Sequence, residues 1–484
     1  MRCTYHFADI AKISPYKHLV VWLLAGTLAG CTAVPIPSLQ QVLPAQWSQP
    51  RQGSPNGVTP DLHSWWKALG DAQLNALVDQ ALTHNLTVAQ ARSRLRQARL
   101  LAGRDNMQFR PTLSAGARTL QDVSAVDTYL QASLDSVWEL GLFGARESIE
   151  RAGQARLDGA GADIQAAQVS VVAEVVRSYS DLRAARYQQA LFERIVELDV
   201  RRLALMDVRS RQHLGSLDDQ RDVQMRLARA RAELADSKRI ADHALLGLAV
   251  LLGRTAPESA WNPPSTWPPQ APIGLGVFTL EQVPTDLLRY RPEIRNAEAH
   301  VLKSAAELGS ATAELYPRIT LGASSLHSRN LTQNRRITSS DVPAFGPLID
   351  IPLFDWGRRR AAADAEKEAL DASVLAYRQA VLEGVAEVES ALSNLQRTSE
   401  RSGYLRSLRN SLEKRVQQQA VLGQLGLSSA LDKIGADRAA LQADMELAAA
   451  EAAHTQAFIA LYKSLGGAPL PVDENTSPAA GSAP

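Results

Sequence analysis

The chain has 484 residues, with 52 lysines and arginines against 51 acidic residues and a net charge of +1. That balance offers no electrostatic case for binding nucleic acid. Aromatic residues make up only 5% and hydrophobic residues 45%, which suits long, closely packed helices better than several compact aromatic cores.

Residues 1–30 read as a targeting signal. Arg2, Lys12, Lys17 and His18 precede an apolar run at 19–28, short against the roughly 20 residues of a membrane span. The run ends in Leu28-Ala29-Gly30-Cys31, the small-residue pattern before the cysteine of a bacterial lipoprotein signal. Cys31 is therefore the expected lipidation site, carrying diacylglycerol and palmitate; no other cofactor is expected. An ordinary secretory signal with an incidental cysteine is the alternative. Thr32, not aspartate, follows the cysteine, which implies sorting to the outer membrane. The other cysteine, Cys3, leaves with the signal.

Residues 31–60 carry Pro35, Pro37, Pro44, Pro50, Pro55 and Pro60 and read as an extended tether. Beyond them the chain says nearly the same thing twice. Gly103, Pro111, Gly116 and Ala117 recur as Gly309, Pro317, Gly322 and Ala323, an offset of 206 from Pro111 to Pro317. Two similar units follow, repeat 1 at 61–256 and repeat 2 at 285–467. A proline-rich linker at 257–284 joins them. The tail at 468–484, mostly Ala, Pro and Ser, is expected to be disordered.

Four segments alternate apolar and polar residues with a period of two, at 112–120, 129–138, 319–326 and 345–354. Segments of about ten residues with that period fit transmembrane strands; two soluble hairpins are the alternative. After each strand pair comes a long stretch without proline, at 112–256 and 353–468, which permits long helices. Val374, Val381, Val388 and Leu395 recur every seven residues, and Val171, Val175, Tyr179 and Leu182 follow a similar pattern. Sustained heptads imply coiled-coil packing. The spacing predicts helices from Arg146 to about Gln212 and from Gly357 to about Leu422, each about 100 Å long. Glycine-containing turns at Gly215 and Gly426 then lead to second helices at 218–252 and 429–465. Each repeat is thus two strands and one long helical hairpin.

Four strands cannot close a membrane barrel, because open edges are intolerable in hydrocarbon. Copies of the chain must share one barrel: two copies would give eight strands with an interior filled by side chains, and three would give twelve strands around a lumen.

Several ordered motifs carry a resemblance. They are Trp65-Trp66 with the following Leu74 to Asn85 pattern, the segment from Asp286 to Glu298 containing Arg-Tyr-Arg-Pro-Glu-Ile, and the junctions Trp138 to Gly144 and Pro352 to Arg358. Together the chain resembles TolC-type outer-membrane efflux factors of the lipoprotein branch that works with resistance-nodulation-division pumps. The resemblance spans about residues 60 to 467. It implies a mainly α fold with a membrane β-barrel portion: a homotrimer with a twelve-stranded barrel above a periplasmic α-helical barrel. It implies a passive conduit for drugs and other small molecules, set in outer-membrane lipid and fed by a periplasmic adaptor (a membrane fusion protein) and an inner-membrane pump. A type I protein-secretion duct is the nearest alternative, and a periplasmic adaptor or scaffold lipoprotein the next. An enzyme is not expected, because the sequence holds no HExxH, GxSxG or P-loop motif.

The resemblance places function at the hairpin tips. Asp432 matches a pore-lining acid of the family, while Gly435 stands where a second acid belongs. A ring of three Asp432 carboxylates would attract cations; the alternative is a solvated helix aspartate paired with Lys433 or Arg438. Ser428 lies beside this position as a further pore candidate. Asp218, Asp219, Arg221 and Asp222 are candidates for ion pairs holding the mouth shut, though surface pairs are weak. Gly215 and Gly426 match tip glycines that the family's adaptors approach. Counting six residues on from each glycine makes Arg221 the counterpart of Asp432.

Overall fold

The computed structural model describes residues 35, 37–39, 47, 52–53, 61–122, 127–261, 267–275, 279–280, 285–332 and 339–469. Cys31, the expected signal and residues 470–484 of the expected tail lie outside the described residues; Ala468, at the start of the expected tail, is buried.

A short 3-10 turn, Trp65–Leu69, leads into α1 (Ala72–His84). The Asp71 carboxylate caps α1 by accepting the Gln73 and Leu74 N–H groups at 2.9 and 3.0 Å. Asn85 breaks the run, and its side chain accepts from Thr87 N–H at 2.8 Å, starting α2 (Leu86–Met107). Strands β1 (Thr112–Asp122) and β2 (Asp127–Glu139) follow, then α3 (Ala145–Arg211) and α4 (Leu217–Leu251). Repeat 2 runs through α5 (Pro292–Ala313), β3 (Arg318–Asn330), β4 (Ser339–Asp350), α6 (Arg358–Gln424) and α7 (Ala430–Ser464). Pro292 opens α5 at its first position, where a missing N–H costs nothing, and Glu293 sits in its first turn. A two-residue ladder pairs Gln52–Gly53 with Thr279–Leu280.

The repeat is closer in space than in letters. Helices α3 and α6 have 67 residues each, and α4 and α7 have 35 each. Over the hairpins the offset is 213, as Ser216 and Ser429 show by capping α4 and α7. Ahead of the strand pair it is 206, so repeat 2 gains residues between its two strands.

The strands form one antiparallel sheet in the order β1-β2-β3-β4, with β1 and β4 at its edges. Strand β4 ends at Asp350, several residues before the expected 345–354 segment ends. It begins early enough to include Pro343 and Pro347. Proline lacks a ladder donor but is tolerated on an edge strand.

Two compact units result, and they do not follow the repeats. Residues 98–157 and 298–375 form one, holding the sheet; residues 41–97, 158–297 and 376–484 form the other, within which the described residues lie in the helical hairpins and their supports. Pairing β2 with β3 joins repeat to repeat, and this long-range contact outweighs sequence order. The main hydrophobic core lies in the second unit, around Trp65, Leu74, Val78, Tyr179, Leu248, Val388, Phe458 and Leu461. The heptad residues Val171, Val175, Tyr179, Val381, Val388 and Leu395 are all buried there.

The motif at 286–298 gains a physical reason in this unit. Arg291, nearly buried, donates to the Gly384 carbonyl at 3.2 Å and pairs with Glu387. A Cβ at Gly384 would stand 3.3 Å from Arg291 Nη1. Gln165 donates to the Tyr290 carbonyl at 3.2 Å and accepts from Arg295 at 3.0 Å. The motif anchors the start of α5 against α3 and α6; it does not form a reactive site.

Candidate functional site

The sheet has two chemically different faces. Register places Ala115 opposite Leu134, Leu134 opposite Ser325, and Ala323 opposite Phe345. One face therefore carries Leu113, Ala115, Ala117, Leu130, Leu134, Trp138, Ile319, Leu321, Phe345 and Ile349. Its large apolar groups are uncovered within the chain: Leu113 is 71% and Phe345 83% exposed. The other face carries Ser114, Arg118, Gln131, Ser133, Asp135, Thr320, Ser324 and Ser328. There Arg118 donates to Gln131 at 3.0 Å, and Asp135 accepts from Ser133 at 2.7 Å and from Ser324 at 2.6 Å. Alternation of this kind, with apolar and polar faces each several strands wide, belongs to a wall between hydrocarbon and water.

At the strand-to-helix junctions the chain turns through left-handed residues, Phe143 at φ 57° and Trp356 at φ 59°. These two positions are equivalent under the 213 offset. Phe143 stacks on Tyr316 at 5.2 Å, whereas Trp356 is 89% exposed.

The hairpin ends correct the sequence reading of the tips. Helix α6 closes with Leu427 N–H on the Leu422 carbonyl at 2.9 Å and Gly426 N–H on the Gly423 carbonyl at 3.2 Å. Gly426 supplies the left-handed residue of that Schellman motif, at φ 71°. In α3 the same two bonds run from Leu214 to Arg209 and from His213 to Ser210, at 2.9 and 3.0 Å. The left-handed residue is His213, at φ 57°. Gly215 is therefore not the counterpart of Gly426; it corresponds to Ser428. A Cβ at Gly215 would meet Arg209 and Ser210 at an ordinary 3.5 Å.

The partner of Asp432 changes with it. The counterpart is Asp219, not Arg221, and Asp222 stands where repeat 2 has Gly435. Both tips therefore carry acid at the first position, and only the first hairpin carries it at the second. Asp432 is exposed and completes a capping box: its carboxylate accepts from Ser429 N–H at 3.1 Å and from Ser429 Oγ at 2.6 Å. The Ser429 hydroxyl, and then its backbone N–H, hold the Asp432 carboxyl below the usual aspartate range, so the charge persists into mild acid. Its partner is neither Lys433 nor Arg438. Ser428 donates to Gln419 at 2.6 Å. Asp218 pairs with Arg221 at 3.3 Å along one exposed helix face, which orders the tip only weakly. Asp222 is exposed on the same helix.

The strongest link between the hairpins was not expected. Arg438 on α7 meets Asp199 on α3 at 3.0 and 3.3 Å, and the Asp199 side chain is 0% exposed. Asp199 stands four residues after buried Ile195, on the apolar stripe of α3. A lone carboxylate in such a stripe is the signal that a buried partner exists. One turn on, Arg202 Nη1 lies 3.9 Å from where a Gly435 Cβ would stand.

Comparison with known proteins agrees with this geometry. A family model described as outer membrane efflux protein matches residues 77–254 and 283–467. Nodulation protein T of Rhizobium leguminosarum bv. viciae is 28% identical over 418 residues, covering 84% of each chain. The pyoverdine export outer membrane protein OpmQ of Pseudomonas aeruginosa is 27% identical over 471 residues, covering 91% of this chain and 94% of its own. The solved structure of the outer-membrane channel OprN superposes with a TM-score of 0.76 at 29% identity, covering 91% of this chain and all of its own. The fold is TolC-like. OpmQ and OprN bear the names of transport proteins, not enzymes.

Proposed function

Because the chain belongs to the outer membrane efflux protein family and is an efflux channel of the outer membrane, we propose that three copies close one twelve-stranded barrel. This conduit receives small molecules from a periplasmic adaptor and a resistance-nodulation-division pump and passes them to the exterior. The observation that carries the reading is the sheet, with its apolar face, its polar face and two unpaired edges. An adaptor or scaffold lipoprotein has no use for such a wall. Open edges in lipid leave backbone groups unsatisfied, so β4 of one copy must pair with β1 of the next.

The internal seam predicts that register. Ile349 corresponds to Ser136, which lies opposite Ala323, which corresponds to Ala117. Ile349 is therefore expected opposite Ala117 of the next copy, and Leu348 opposite Arg118. By the same rule exposed Trp356 falls beside Arg110 of the next copy, the counterpart of Tyr316, where a guanidinium on an indole face is favourable. With Cys31 lipidated, the mature chain lacks free thiols. Ile349→Cys with Ala117→Cys should then give disulfide-linked trimers on mild oxidation. Ile349→Cys with Ala115→Cys should give far fewer. Efficient linkage of the second pair in place of the first refutes the register, and a monomer in native mass analysis refutes the trimer.

The tip face carrying Asp432, Ser428 and Asp219 would line the periplasmic mouth, and the turns at Gly215 and Gly426 would be offered to the adaptor. The Leu28-Ala29-Gly30-Cys31 pattern supports lipid anchoring at Cys31. The intact mass of the mature protein should equal a chain starting at Cys31 plus diacylglycerol and a fatty acyl group; a chain beginning upstream of Cys31 removes that part of the reading.

A further inference from the structure

Two opposite charges stand alone on the polar face of the sheet. Among the described residues and away from the strand ends, Arg118 on β1 and Asp135 on β2 are the only charged residues there; Asp122 and Asp127 lie at the loop end and Glu139, Arg318 and Asp350 at the helical end, with Arg318 and Glu139 3.7 Å apart. Arg118 and Asp135 line one open recess of about 330 Å³ with Gly116, Gln131, Ser133 and Ser324. Both are held in place. Arg118 Nε donates to Gln131, and both Asp135 oxygens accept a serine hydroxyl at 2.7 Å or less. Gly116 keeps the recess clear: a Cβ there would stand 3.3 Å from Ser133 Oγ.

Repeat 2 lacks both charges. Its counterparts of Arg118 and Asp135 are Ser324 and Leu348. The pair is thus a property of the first repeat alone, not of the barrel plan, and structural pairing does not explain it. Its two members bind separate neutral partners instead of each other.

We propose that Arg118 and Asp135 form a charge collar inside the barrel that sets ion selectivity and orients dipolar or zwitterionic small molecules in transit. The inference rests on the polar face lining the lumen of the trimer. Three copies would place three fixed cations and three fixed anions on a wall otherwise uncharged along its middle, mostly Ser, Thr, Gly and Ala with Gln131, Val137, Leu326 and Val342 among them, and with Leu348 of each neighbour beside Arg118. Fixed charges of both signs on the wall of a narrow aqueous lumen shape the local potential without a net charge. Removing one sign uncovers the other.

The test is the reversal potential of purified trimers in planar bilayers under a KCl gradient, at low salt where screening is weakest. Asp135→Asn, whose amide oxygen still accepts from one serine and whose N–H can donate to the other, should move the K+/Cl− permeability ratio toward chloride by about twofold or more, and Arg118→Gln toward potassium by a similar factor. The double variant should return near the parent. Asp432→Asn serves as a separate arm, since loss of the tip acid should lower cation preference in every background. Trimeric channels of parental conductance whose ratio moves for neither single variant, or in one direction for both, overturn the collar. Loss of trimers in the parent protein itself overturns the lumen assignment together with the collar. A shift confined to Asp432→Asn locates selectivity at the tip and overturns the collar while leaving the channel reading intact.

Discussion

Trp65→Ala is expected to destabilise the protein by about 3–5 kcal/mol, as large-to-small changes of a buried aromatic do. Trp65 is fully buried, stacked on Tyr462 at 5.5 Å and edge-on to Phe458 at 5.9 Å. Its indole N–H also donates to the Gly467 carbonyl at 3.0 Å, and His63 Nδ1 lies 2.8 Å from the Ala468 carbonyl. The start of repeat 1 is thereby pinned to the end of repeat 2. Loss of the N–H alone strands a buried carbonyl, so Trp65→Phe should cost about 1–3 kcal/mol. Chemical denaturation in detergent, followed by intrinsic fluorescence of the remaining tryptophans, measures both. An alanine variant within about 1 kcal/mol of the parent would refute the packing argument.

Arg438→Leu should loosen the contact between the two hairpins by about 3–5 kcal/mol, because it leaves the Asp199 carboxylate buried and unpaired. Adding Asp199→Leu should recover most of that loss, since apolar replacement of a whole buried pair is close to neutral. Hydrogen exchange of the amides around Asp199 and Arg438 gives the readout. Exchange should rise in the single variant and fall back in the double. If the single variant exchanges like the parent, the pair does not hold the hairpins together. If the double exchanges like the single, the loss comes from packing around Arg438 and not from the stranded charge.

Much of the local architecture was legible in the sequence. The absence of proline over long stretches and the seven-residue spacing of valines were enough to place both long helices to within a few residues. Period-two alternation located all four strands, the fourth displaced by several residues. The fourth segment, expected at 345–354, runs over Ser339–Asp350, and its position at the sheet edge makes Pro343 and Pro347 harmless. Glycine at 215 and 426 suggests an equivalence that the backbone denies, since His213, not Gly215, takes the left-handed conformation that Gly426 takes in the second hairpin. The error carried through to Arg221 as the counterpart of Asp432.

The sequence by itself determined what depends on near neighbours: helix length, strand period, the duplicated plan and the family. The tertiary structure decided what depends on residues hundreds of positions apart. The offset changes from 206 to 213 inside the strand pair, Asp199 meets Arg438, Trp65 closes on Gly467, and Arg118 and Asp135 come to share one recess. Periodicity reports which face of an element is buried. It cannot report what lies across from that face, because a partner's identity and register are set only when the elements pack.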